Sequence, residues 1–137
     1  MKQLLAAALC LCISFASNVS ASAPQFKIIR VPELKTLMAE AKFPVHIFDA
    51  NGGKTRSKDG IILGAKLLSS SGSYDVAKEL PEDLKATLVF YCYNPSCTAS
   101  HTAARRALAA GYSDVSVLSD GIIGWRLNGG QVVNGKS

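Results

Sequence analysis

The stretch "TLVFYCYNPSCTASHTAARRALAAG", residues 87–111, decides the fold. It opens on Thr-Leu-Val-Phe-Tyr-Cys, a short and mostly apolar segment rich in β-formers, the pattern of a strand covered on both faces. It closes as a helix. Thr98 stands in an N-cap position, Gly111 supplies the C-terminal stop, and Ala99, Ala103, Ala104, Ala107, Leu108 and Ala110 line one side with small residues that allow close approach to a sheet. His101 and Arg105 fall on the opposite side, expected to face solvent. A covered strand that feeds directly into such a helix belongs to an α/β fold. Cys92 then ends a strand at the edge where open α/β sheets bind ligands.

The same alternation recurs outward from this stretch. "FKIIR" (26–30) is a β-like run, and "VPELKTLMAEAK" (31–42) is a helix with Pro32 in its first turn and Leu34, Leu37, Met38 and Ala41 at helical spacing. "FPVHIFDA" (43–50) is a second buried strand, ending at Asp49, followed by the polar loop "NGGKTRSKDG" (51–60) and by apolar residues around Gly64. "YDVAKEL" (74–80) reads as a helix and "PEDLKA" (81–86) as a helical turn introduced by Pro81. Val115–Leu118 is a further strand, and "GIIGWRLNGGQVV" (121–133) gives a last helical turn and a tail. One domain results, with a mainly parallel central sheet and helices on both faces. No internal repeat is present.

The N-terminus sets the compartment. Lys2, the apolar run "LLAAALCLCISFA" and the small and polar residues that end in "NVSASA" have the layout of a signal peptide, with Val19 and Ala21 fitting cleavage after residue 21. The apolar run is shorter than the roughly 20 residues of a spanning helix, so no stable membrane anchor is expected. Leu9 and Leu11 precede Cys10 and Cys12, where a lipoprotein would have a small residue. Cleavage leaves residues 22–137 as the domain, in a periplasmic or secreted location, with Cys92 and Cys97 as its cysteines. A chain of that length buries about two-thirds of its unfolded surface and needs no disulfide framework to fold. Two close cysteines in an oxidising compartment therefore point to chemistry. The chain holds 15 Lys and Arg against 10 Asp and Glu, and no basic run is interleaved with aromatics, so nucleic acid is not indicated.

Free N–H groups at a helix start and in a curled loop favour a negative charge, so a cysteine between strand and helix is poised as a thiolate nucleophile. "C-x4-C-x3-H" is formally a three-ligand pattern for a soft metal, but no second cysteine pair accompanies it and no metal is expected. His46 lies inside an apolar strand and reads as packed core. Trp125 reads as core cover, and Asp49 as a residue that fixes loop backbone. Arg56 is a candidate cation for the site, and more simply a solvated loop charge.

The mature chain resembles the single-domain rhodanese sulfurtransferases. The resemblance rests on a strand ending in Asp49, "GIILGA" at 60–65, "VFYC" at 89–92, Gly111 with Tyr112, and "GIIGW" at 121–125, in the family's order. It implies a persulfide mechanism without a cofactor. Cys92 would accept sulfur from a small anionic donor such as thiosulfate and pass it to a thiol, to cyanide or to a protein thiol. Tyr93, Asn94, Pro95, Ser96, Cys97 and Thr98 would form the cradle for the anion, Asn94 or Ser96 adding a side-chain donor, with Asp49 and Arg56 as supporting residues. The family's short loop, Cys-x-x-Gly-x-Arg-Ser, is here two residues longer when Ser100 is aligned with its end. Its arginine falls on Ala99 and its glycine on Cys97. Slow turnover of thiosulfate is expected from that loss, and a monomer suffices for the chemistry.

Two other classes stay open at this point: a thiol–disulfide redox protein cycling Cys92 and Cys97, and a non-catalytic module using the same loop. The compartment can be checked directly. Native exported protein should begin at Ser22 on N-terminal sequencing, and recovery of Met1 would remove the case for an oxidising environment.

Overall fold

A computed structural model describes residues 22, 23 and 25–135. The signal-like segment, with Cys10, Cys12 and the Ala21 cleavage position, lies outside them. Among the described residues no helix is long and apolar enough to cross a membrane.

The elements follow the order β1 (Lys27–Ile29), α1 (Val31–Glu40), β2 (Val45–Asp49), α2 (Gly53–Asp59), β3 (Ile61–Ile62), β4 (Lys66–Leu67), α3 (Val76–Glu79), β5 (Thr87–Tyr91), α4 (Ala99–Ala109), β6 (Asp114–Leu118), α5 (Gly121–Leu127) and β7 (Val132–Val133). Five strands form one sheet in the order β1-β6-β5-β2-β4, and every pairing in it is parallel. β5 is therefore central. Tyr91 is in register with Asp49 on one side and Leu118 on the other, so the carboxyl ends of three strands come out together.

Alternation along these strands builds two cores, one on each face. Phe48, Leu88, Phe90, Val115 and Val117 meet Ala103, Ala104 and Ala107 of α4, with Tyr74 alongside. Ile47, Val89, Tyr91 and Leu118 meet Val31 and Leu34 of α1 and Ile122 and Trp125 of α5. On α4 the central residues of the small-residue face, Ala103, Ala104 and Ala107, are fully buried, whereas Ala99 is half-buried and Ala110, past the end of the helix, is exposed. On α1 the burial is narrower than its spacing suggests: Leu34 is buried, whereas Met38 and Ala41 are exposed.

Three local expectations are corrected. The polar stretch 51–60 is not a loop throughout, because Gly53–Asp59 forms α2, held by an ion pair from its Asp59 to Arg126 of α5 at 3.0 Å. "PEDLKA" forms turns rather than a helical turn, since Asp83 accepts the Lys85 N–H and the Ala86 N–H on its side chain and carbonyl. The C-terminal tail is ordered into β7, antiparallel to β3, and the helix before it runs for seven residues rather than one turn.

The close fit of α4 gives a first test. Ala104→Leu forces extra atoms between helix and sheet and should lower stability by about 1–3 kcal/mol, read as an earlier midpoint in urea unfolding.

Candidate active site

Residues 92–98 connect β5 to α4, so the loop of Tyr93 to Thr98 follows Cys92 as expected. Cys92, the first residue past β5, is 2% exposed, and its Sγ lies 3.2 Å from the Oγ of Ser100. Ser100 is itself buried in the first turn of α4. The Ile122 N–H donates to the Cys92 carbonyl at 2.9 Å and the Ile123 N–H to the Tyr93 carbonyl at 3.1 Å. The first turn of α5 thus spends its otherwise free N–H groups on the loop. That approach demands glycine at 121: its φ is +63°, and a Cβ there would collide with the Tyr93 carbonyl.

Asn94 then turns the chain back. Its carbonyl accepts the Cys97 N–H at 3.0 Å, and its Oδ1 accepts the Ser96 N–H at 3.1 Å. Two loop amides are consumed inside the loop, and Asn94 acts there as a turn former. Pro95 and Ser96 are exposed at the tip, while Tyr93 packs against the core that α1 and α5 share. Thr98 is the N-cap residue by its backbone, its carbonyl accepting the Thr102 N–H; its side chain makes no capping bond. Cys97 is half-buried, its Cα 6.3 Å from that of Cys92, and the two sulfurs are joined as a disulfide.

Asp49 and Arg56 engage each other and the strand ends. Asp49 is fully buried. Its Oδ1 accepts the Asn51 N–H at 2.7 Å and its Oδ2 the Tyr91 hydroxyl at 2.9 Å, and that hydroxyl in turn accepts the Ile62 N–H at 3.1 Å. Burial pushes the Asp49 carboxyl above its usual range, and the Asn51 N–H, the Tyr91 hydroxyl and the Arg56 guanidinium only partly offset it. Burial, then the adjacent Asp49 carboxylate, raise the Tyr91 phenol, which therefore stays a donor. Asp49 fixes the backbone after β2, as its sequence position suggests. Arg56 is not a solvated charge: its side chain is 14% exposed, and its Nη2 donates to the carbonyls of Asp49 and Leu68 at 2.9 and 3.0 Å. Its Nε stands 3.7 Å from Asp49 Oδ2, so this cation is committed to the fold.

His46 is half-buried in β2, and burial followed by the nearby Lys66 lowers its basicity. Trp125 is buried and donates to the Gln131 carbonyl at 2.9 Å, holding the tail. His101 departs from the solvated position expected of it. It is half-buried against Phe26, ring centroids 5.3 Å apart, with Arg105 over the same ring. Among the described residues no cluster of three or more His, Cys, Asp or Glu side chains could hold a metal ion.

The sequence offered Ser100 only as an alignment mark, and its contact with Cys92 adds a side-chain hydroxyl to the site. Its place in the first helical turn after the cysteine loop was the available signal. Together, Cys92, Cys97 and Ser100 form a compact sulfur site at the carboxyl edge of the sheet.

A family model for the rhodanese-like domain matches residues 31–128, nearly all of the described fold. The chain belongs to the rhodanese-like domain family. A rhodanese-like domain protein from Staphylococcus aureus has a similar structure, with 23% identity, a TM-score of 0.60, and coverage of 79% of this chain and 99% of that one. A protein from Bacillus halodurans matches with a TM-score of 0.67 at 18% identity, over 80% of this chain and 77% of that one. A thiosulfate sulfurtransferase from Pseudomonas aeruginosa matches at 25% identity and a TM-score of 0.64, over 82% of this chain but only 21% of that much longer one. No curated protein matches the chain. Membership of the rhodanese-like family supports a sulfurtransferase-type or related function.

The Ser100 contact is testable in reduced protein with Cys97→Ser, so that Cys92 is the thiol followed. Adding Ser100→Ala should slow alkylation of Cys92 by iodoacetamide at neutral pH about three- to fourfold, because the roughly tenfold loss of thiolate from removing one hydrogen bond of about 1.5 kcal/mol is partly offset by a more nucleophilic sulfur. An unchanged rate would leave Ser100 a packing residue.

Proposed function

We propose that this rhodanese-like domain moves a sulfane sulfur from a small anionic donor such as thiosulfate to a thiophilic acceptor through a persulfide on Cys92. The observation that carries the reading is the place of Cys92: first residue past the central strand, buried, with its sulfur 3.2 Å from Ser100 Oγ at the start of α4. A thiolate or persulfide there gains a hydroxyl donor and the positive end of an 11-residue helix. No general base is needed, because the nucleophile and the intermediate are both anions.

Charge in this site is handled by dipoles. Position 99, where the family's loop arginine would fall, is alanine, and Arg56 is tied to Asp49 and to strand-end carbonyls. Binding of the dianionic thiosulfate is therefore weak and turnover slow, whereas a neutral or singly charged persulfide donor loses less. The site works outside the cytoplasm, where the Cys92–Cys97 disulfide can form and must be reduced before transfer begins.

The disulfide also favours one second reading, a thiol–disulfide redox protein. Mass spectrometry of reduced protein exposed to thiosulfate separates the two, and a Cys97→Ser background keeps the first product in place. Sulfur transfer adds the mass of one sulfur atom to Cys92 and releases sulfite. Cys92→Ser should lose this addition and all transfer to cyanide while unfolding at the same urea concentration as the parent. Transfer that survives Cys92→Ser would exclude Cys92 as the sulfur carrier.

A further inference from the structure

The turn built by Asn94 delivers Cys97 to one atom in particular. Its two internal hydrogen bonds, from the Cys97 N–H at 3.0 Å and the Ser96 N–H at 3.1 Å, hold the returning chain, and the Cys97 Sγ is bonded to the Cys92 Sγ. A persulfide on Cys92 consists of that same Sγ with a second sulfur beyond it. We propose that Cys97 is the first acceptor: it attacks the Cys92 Sγ of the persulfide and expels the outer sulfur as hydrosulfide, making the domain a sulfide-releasing sulfane-sulfur reductase driven by an external dithiol. This rests on the persulfide reading above and names its acceptor.

The Cys92 thiolate attacks the outer sulfur of thiosulfate; the sulfur–sulfur bond of the donor breaks, and sulfite leaves with the electron pair. The Cys97 thiol gives up its proton and its sulfur attacks the Cys92 Sγ. The bond between the two Sγ atoms forms as the bond to the outer sulfur breaks, and hydrosulfide departs with the electron pair and the proton. The two cysteines are oxidised by two electrons and the sulfane sulfur is reduced by two. A dithiol then returns the electrons: one of its thiolates attacks the disulfide, and its second thiol resolves the mixed disulfide, so that the dithiol ends oxidised.

Two features select this route. With the two cysteines joined, Cys92 is 2% exposed, so the loop brings Cys97 over its sulfur, and an attack by Cys97 is intramolecular. In the return step Cys97, the less buried residue of the pair, is the one that solvent-borne thiols meet. Cys92 is the better leaving group, since Ser100 Oγ at 3.2 Å can donate to its thiolate. The fitting partner is a dithiol reductant that meets Cys97 beside the exposed Pro95–Ser96 tip.

The test is a single turnover. Fully reduced protein, freed of reductant and kept without oxygen, is mixed with excess thiosulfate, and sulfite, sulfide, free thiols and protein mass are followed. The expected result is one sulfite and one sulfide per chain, loss of both thiols, and a mass lower by two hydrogens. Cys97→Ser should give one sulfite, no sulfide and a lasting extra sulfur on Cys92. Treatment with dithiothreitol and its removal should restore a second equal burst in the parent protein. A parent protein that keeps the extra sulfur and both its remaining hydrogens, with sulfite but no sulfide, would overturn the role of Cys97 and leave the persulfide reading intact. Absence of sulfite and of any added sulfur in both proteins would overturn both.

Discussion

The site depends on two backbone hydrogen bonds. The N–H groups of Ile122 and Ile123, at the start of α5, hold the carbonyls of Cys92 and Tyr93 at 2.9 and 3.1 Å. They fix the direction in which the chain leaves the central strand, and so where the Cys92 sulfur stands relative to α4. The arrangement is possible because residue 121 has no side chain and adopts a positive φ. A helix start that could have received an anion instead holds the loop in place. The start of α4 is left to serve the sulfur, through Ser100.

The parts of this architecture that were readable from sequence are those decided by short-range pattern. β5 and α4 announce themselves because a strand covered on both faces must be continuously apolar and a helix packed close to a sheet must be lined with small residues. β2 follows the same rule, and Asp49 at its end was recognisable as a backbone anchor. What was missed is held from a distance. α2 has no apolar periodicity, and its Arg56 and Asp59 are fixed by the ends of β2 and by α5. β7 is two residues long and exists only because β3 pairs with it. Arg56 looks like a loop charge until the carbonyls of Asp49 and Leu68 are brought beside it by the fold.

The cysteine pair illustrates the same division. Spacing alone allowed the two sulfurs to meet without requiring it, and the geometry of the Asn94 turn supplies the rest. As a cross-link the pair has limited value. By the chain-entropy relation a loop this short is worth about 2 kcal/mol, against roughly 5 for a loop of 100 residues, and the domain already has a core on each face of its sheet. The disulfide is therefore better understood as one state of a reaction site than as a fastening of the fold.

The order of the sheet carries a different consequence, for synthesis. Among the described residues β1 is the first strand in the chain, and its partner in the sheet is β6, with Lys27–Ile29 in register with Ser116–Leu118 and the Lys27 ammonium 3.1 Å from Asp114. The earliest strand must wait for nearly the whole chain to emerge before it can pair. β2 and β5 can associate sooner, leaving one flank of β5 an unpaired parallel edge in the nascent chain. Until Asp114–Leu118 arrives to pair with it, the Leu88–Tyr91 backbone is open to other chains, which makes β6 the strand that closes the sheet to aggregation.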